Sequence, residues 1–301
     1  MGPRGDGQET AVTKAHDDLA SNALPTPLGE LPFDPASADA VTQRWLEELC
    51  RRTDEVLWAS YRFSLGEAGA AWPRVLFPLK GKERRVGEQE ARFAFASALL
   101  TETGRQPWAL AAEVPTRLSY RFAHRGGEGK AQRALTDLAL YRHGHDEPAI
   151  AVEFKSGGRS GRSEVDEGIN KDVAKILAEQ PDALWFHVVR DANGATLQGV
   201  LRTLDAAVSR LSSPNRLSAY LAPGKAVEPR AKTIAFHICV LNPDVKVSIH
   251  RVLDYVPGRP RHDFFAIETA GVETSAARSS LEIGGGQGWT VYRGSPPAAQ
   301  T

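Results

Sequence analysis

Two acids and a lysine stand out among residues that could do chemistry. Asp137 lies inside the apolar run Leu135-Thr136-Asp137-Leu138-Ala139-Leu140, and Glu153 and Lys155 end the apolar run that starts at Ala149. A carboxylate in an apolar strand is costly unless something offsets its charge. Side chains alternate along a strand, so Asp137, Ala139 and Tyr141 share one face and Glu153 and Lys155 share another. If the two strands pair as a hairpin, both carboxylates and the ammonium converge on one spot. Converging carboxylates repel unless a cation sits between them, and an all-oxygen donor set favours Mg²⁺ or Mn²⁺.

Other motifs carry less. His143 and His145, in His-Gly-His-Asp, have no third ligand at helical spacing and read as a hydrophilic hairpin tip. Residues 126–130, Gly-Gly-Glu-Gly-Lys, lack both the glycine spacing of a phosphate loop and the Ser or Thr that follows it. No Gly-x-Ser-x-Gly segment supports a serine hydrolase. Cys50 and Cys239 are far apart with no Cys-x-x-Cys spacing. They suggest neither a disulfide framework nor a zinc site, and a reducing cytoplasm is the expected setting.

The elements that must position the three residues can be read from periodicity. Residues 1–37 are rich in Gly, Pro, Ala, Asp and Ser and read as a disordered leader. A helix is expected from Ser37 or Asp39, with Val41, Trp45, Leu49 and Val56 on its buried face. A second covers 86–103, with Ala91, Phe95, Ala98 and Leu99 buried and Gly104 and Pro107 beyond its end. Strands follow at 112–122, 133–142 and 149–155. Ser163 opens a helix whose apolar face is Ile169, Val173, Ile176 and Leu177, and Pro181 stops it. A fourth strand covers 184–190, a helix lies near 197–211, and strands are expected at 232–241 and 246–255. Residues 256–301 are Gly-, Ser- and Pro-rich, with strand-like pieces at 264–268 and 289–292.

From 86 to 190 the order is helix, three strands, helix, strand. Three strands with short loops suggest an antiparallel meander, and the helix before the fourth permits a parallel crossover. The expected fold class is therefore α/β, a central mixed sheet of four to five strands flanked by helices. The domain would span 38–255 around a core at 86–190, with an extra helix before the core and strands after it.

Asp137, followed after fifteen intervening residues by Glu153-Phe154-Lys155 in this order of elements, resembles the PD-(D/E)XK nuclease superfamily. The likeness covers about a third of the chain. Thr136 stands where the motif's name has Pro, a position that varies in the family. The resemblance implies a restriction-endonuclease-like core and Mg²⁺-dependent (or Mn²⁺-dependent) hydrolysis of phosphodiester bonds. It implies Asp137 and Glu153 as metal ligands, helped by the Phe154 carbonyl, with Lys155 acting on the water and phosphate. The family also tends to carry a Glu on the preceding helix. Glu88 and Glu90 are candidates, and Glu88 is preferred because it leads the stripe through Ala91, Phe95 and Ala98.

Arg159, Arg162 and Lys171 are candidates for flanking phosphates. The competing reading is a solvated loop for the arginines and a polar helix face for Lys171 and Asp172. The implied partner is nucleic acid, DNA first, with a dimer compatible. The rivals are a catalytically inactive nuclease-like binding or scaffold module and an RNA nuclease.

Bulk composition is neutral on this choice. Hydrophobic residues make up 42% and charged residues 25% of 301, enough to fill a core. Net charge is zero, but residues 1–40 hold two basic against seven acidic side chains, so the remainder carries +5. That suits a phosphate-facing surface without demanding one. No apolar run reaches the roughly 18 residues of a bilayer span, and the N-terminus lacks a secretory pattern.

Overall fold

The computed structural model describes residues 35–80, 83–84, 86–102, 108–121, 131–157, 163–190, 192, 194–223, 230–243, 246–257 and 290–294. The chain divides after Val41, and Thr42–Thr301 holds the sheet and everything below. Its elements run α1 (Pro35–Ser64), β1 (Leu79–Lys80), β2 (Glu83–Arg84), α2 (Glu88–Glu102), β3 (Trp108–Tyr120), β4 (Gln132–Arg142) and β5 (Pro148–Ser156). They continue α3 (Ser163–Ala178), β6 (Asp182–Arg190), α4 (Gly194–Leu211), α5 (Pro214–Ser218), β7 (Lys232–Leu241), β8 (Lys246–Tyr255) and β9 (Thr290–Gly294).

The protein is α/β, with one mixed sheet between two helical layers. The sheet is larger than the expected four to five strands. Seven strands pair in the order β3-β4-β5-β6-β7-β8-β9. β5, β6 and β7 run parallel to one another, and every other neighbouring pair is antiparallel. The later strands join the core because β6 has no edge to leave open. All its residues from Ala183 to Val189 are buried, so both of its sides need hydrogen-bonded neighbours. The C-terminal segment also contributes, since Thr290–Gly294 pairs with β8. The expected piece at 264–268 and the leader up to residue 34 lie outside the described residues. Pro115 falls in β3, an edge strand, where its missing N–H is tolerated.

Paired residues share a face, so register sorts the sheet into two sides. Phe154, Phe186 and His237 are in line, and so are Glu153, Trp185 and Phe236. The Phe154 side packs on α1 and α2, where Phe95, Phe154 and Phe186 interlock with centroids 5.5–6.3 Å apart. The Trp185 side packs on α3, α4 and α5. Helix α1 is rotated from the expected stripe. Leu46, Leu49, Cys50, Leu57, Trp58 and Tyr61 are its buried apolar residues, while Trp45 and Val56 are only partly covered. The reason is polar: Thr53 and Asp54 are buried too, and hydrophobic periodicity cannot register them.

Candidate active site

The hairpin of β4 and β5 is real, and it forks at the candidate residues. Backbone pairing of β4 with β5 reaches Leu138–Val152 and stops there. Pairing of β4 with β3 skips Asp137, because the opposite residue, Glu113, has a left-handed φ of 54°. Asp137 is thus held by its side chain. Its Oδ2 accepts the Phe154 N–H at 2.7 Å, and its Oδ1 pairs with Arg92 of α2. Arg92 also pairs with Glu113. A carboxylate replaces the missing ladder bond and fixes the strand carrying Glu153 and Lys155.

Glu153 and Lys155 point to the α3 side, as alternation requires. Glu153 is only 2% exposed and accepts a hydrogen bond from Lys175 Nζ at 2.7 Å. Lys175 also donates to the Leu135 carbonyl at 2.9 Å and pairs with Asp172 at 2.9 Å. The other Asp172 oxygen pairs with Lys155 Nζ at 2.6 Å. Lys155 lies 3.4 Å from Glu88 of α2. The structure therefore brings Glu88 to Lys155. Among the described residues five carboxylates, Glu88, Glu113, Asp137, Glu153 and Asp172, meet three cations, Arg92, Lys155 and Lys175.

Burial dominates the proton affinities of the cluster, and neighbouring charges modify it. Burial raises the Asp137 carboxyl, against the Phe154 N–H and Arg92. Burial also raises Glu153 well above the usual carboxylate range, with Asp172 and Asp137 adding repulsion that Lys175 only partly answers. Burial alone would lower Lys155, but Asp172 and Glu88 hold it above its ordinary value. Lys175 is raised on balance in the same way, by Glu153 and Asp172.

Asp172, Lys175 and Arg92 were not expected here. Asp172 is no polar surface residue, at 8% exposed, and its burial follows from bonding two lysines at once. One signal was available: Asp172 stands three residues after Ile169 and four before Ile176, on the apolar stripe of α3, where an acid needs a buried cation. Lys171 is partly buried on the same helix. Arg159 and Arg162 lie outside the described residues. His143 and His145 are exposed at the tip of the β4–β5 hairpin, beside Gly144 with its φ of 80°.

A hard divalent cation fits the donor chemistry of the fork. The acids Asp137 and Glu153 and the Phe154 carbonyl are the oxygens on hand, and water completes the shell that Mg²⁺ prefers. These acids do not form a trio within 4.8 Å; among the described residues only Cys50, His237 and His250 meet that spacing. No protein-family model and no curated protein matches the chain. Among the described residues, no helix is long and apolar enough to cross a membrane.

Proposed function

We propose that the protein is a metal-dependent phosphodiester hydrolase of the PD-(D/E)XK kind, acting on DNA. The observation that carries this reading is the fork: Asp137, Glu153 and Lys155 lie where the β4–β5 ladder opens, with Glu88 beside Lys155. Asp137 and Glu153 would hold Mg²⁺ or Mn²⁺. The ion supplies Lewis-acid polarisation and a water of lowered pKa. Lys155, kept protonated by Asp172 and Glu88, orients that water and stabilises negative charge developing on phosphate. Lys175 and Arg92 are positioning residues, because each fixes an acid without reaching outward. Lys171 of α3, and Arg159 and Arg162 before it in sequence, are the candidates for flanking phosphates.

The test is incubation of the purified chain with plasmid, linear duplex, single-stranded DNA and RNA, with Mg²⁺, Mn²⁺ or chelator. Cleavage of DNA that needs the metal and is lost in Asp137→Ala supports the reading. Preference for RNA would move it to an RNA nuclease. One observation favours a second reading, a non-catalytic binding module: every acid of the cluster already has a cationic partner. Nucleic-acid binding without cleavage under any metal would select that reading.

A further inference from the structure

The opposite face of the sheet holds a second polar cluster, unconnected with the fork. Helix α1 presents Cys50 and, one turn on, Asp54. β7 presents His237 and Cys239, and β8 presents Ser248 and His250 directly across from them. Cys50 and His237 are 0% exposed and His250 is 2% exposed. We infer that Cys50 Sγ and the imidazoles of His237 and His250 form a binding site for a borderline-soft divalent ion of the Zn²⁺ class. It would tie α1 to the two strands.

Spacing is the first support. One ligand atom from each of the three residues lies within 4.8 Å of the others. His237 Nδ1 and His250 Nδ1 are 3.2 Å apart. Two imidazole nitrogens on one tetrahedral zinc, each about 2.05 Å from it, stand about 3.3 Å apart. The donors are thiol and imidazole, which suit zinc and disfavour Mg²⁺.

Charge is the second support. Asp54 is buried, yet the groups bonded to it are His237, Ser248 and Cys239, none of them a Lys or Arg. A buried carboxylate without a fixed cation is costly. On binding, the Cys50 proton leaves for solvent, and the thiolate and Asp54 together balance the two positive charges.

The outer contacts are also those of a metal site. Asp54 receives the His237 Nε2 hydrogen at 2.9–3.0 Å, which leaves the Nδ1 lone pair to face His250. A carboxylate fixing the far nitrogen of a ligating histidine is the usual arrangement around zinc. Among the described residues His250 Nε2 has no hydrogen-bond partner, so the proton chain from Asp54 through His237 to His250 does not satisfy the cluster. Cys239, close enough to Cys50 to interact electrostatically, is at hand for a fourth position.

The full chain, refolded with Zn²⁺ and separated from free metal, should retain one zinc per chain by elemental analysis. Refolding with Co²⁺ should give a thiolate-to-cobalt charge-transfer band. Cys50→Ser and His250→Gln should lose the metal and the band, while Asp137→Asn, at the fork, should keep both. A folded wild-type chain well short of one zinc, or Cys50→Ser holding zinc as wild type does, overturns the site. It would leave a plain Asp54–His237 hydrogen bond. If the variants do not fold, the wild-type cobalt spectrum decides, since absence of the charge-transfer band sinks the proposal by itself.

Discussion

The two faces of the sheet solve the problem of buried charge in opposite ways. On the α3 side, acids and bases alternate in a chain from Glu88 through Lys155, Asp172 and Lys175 to Glu153. On the α1 side, Asp54 is surrounded by histidine, cysteine and serine. The first cluster sits at a fork in the backbone and stays partly open, with Lys155 at 22% and Glu88 at 36% side-chain exposure. The second sits in the middle of a continuous β7–β8 ladder and is sealed. An open cluster with surplus acid suits exchangeable ions and a substrate. A sealed one with thiol and imidazole donors suits a permanent structural role. Burial alone therefore does not mark function; access and charge balance separate the two.

Breaking the comparison most sharply means removing a strand acid. Asp137→Ala and Glu153→Ala should each lower metal-dependent cleavage by at least on the order of 10²-fold, because the charge-stabilising ion is lost. Both should weaken Mg²⁺ binding in a calorimetric titration, whereas Lys155→Ala should lose cleavage and still bind the ion. Unchanged Mg²⁺ affinity in both acid variants would contradict their role as ligands.

The next effect is on stability. Lys175→Met leaves Glu153 buried without its partner and should cost about 3–5 kcal/mol in urea unfolding. Adding Glu153→Gln to it should restore part of the loss, since the stranded charge is gone. If the double variant is no better than the single, Lys175 acts by packing and not by charge.

His187 sharpens the contrast through pH. It lies in register with Lys155, is buried, and bonds the Gly157 carbonyl at 2.7 Å. Burial, assisted by Lys155, lowers it to about 4. The unfolded chain therefore takes up a proton near pH 6.5 that the folded chain refuses until about 4. Stability present above 6.5 should fall as the pH drops through that window, by ~3 kcal/mol at most. His187→Gln should flatten this part of the profile in chemical denaturation at a series of pH values.

Asp54→Asn tests the sealed face. It weakens the bonds to His237 and Ser248 and should cost about 1–3 kcal/mol. DNA cleavage by the folded variant should stay at the wild-type level, and a loss of cleavage would show that the faces are coupled. The smallest effect separates the helix acids. Glu88→Gln should reduce cleavage more than Glu90→Gln, because Glu88 is the one beside Lys155. The reverse order in a side-by-side assay would move the helper role to Glu90.

Several features were legible without coordinates, because each depends on local pattern. The run of strands from 112 to 155, the helix opening at Ser163 and the buried fourth strand all follow from side-chain period and chain breakers. The shared face of Glu153 and Lys155 follows from alternation within one strand. The gathering of Glu88 with Lys155 needed the helix stripe as well, since Ala91 and Phe95 determine which way α2 faces.

Only tertiary structure decided the rest, and the reason is distance along the chain. Among the described residues the sheet has seven strands because β7 pairs with β6, β8 with β7 and β9 with β8, pairings no local period encodes. Lys175 reaches Glu153 across 22 residues, and Arg92 reaches Asp137 across 45. Asp54 lies 183 residues from His237, so Cys50, which sequence spacing removes from any metal motif, acquires histidine neighbours only when α1 lies on the sheet. Amino-acid order alone determined which side chains share an element's face. Folding decided which faces meet, because the cost of burying a charge is settled by partners that only the closed structure supplies.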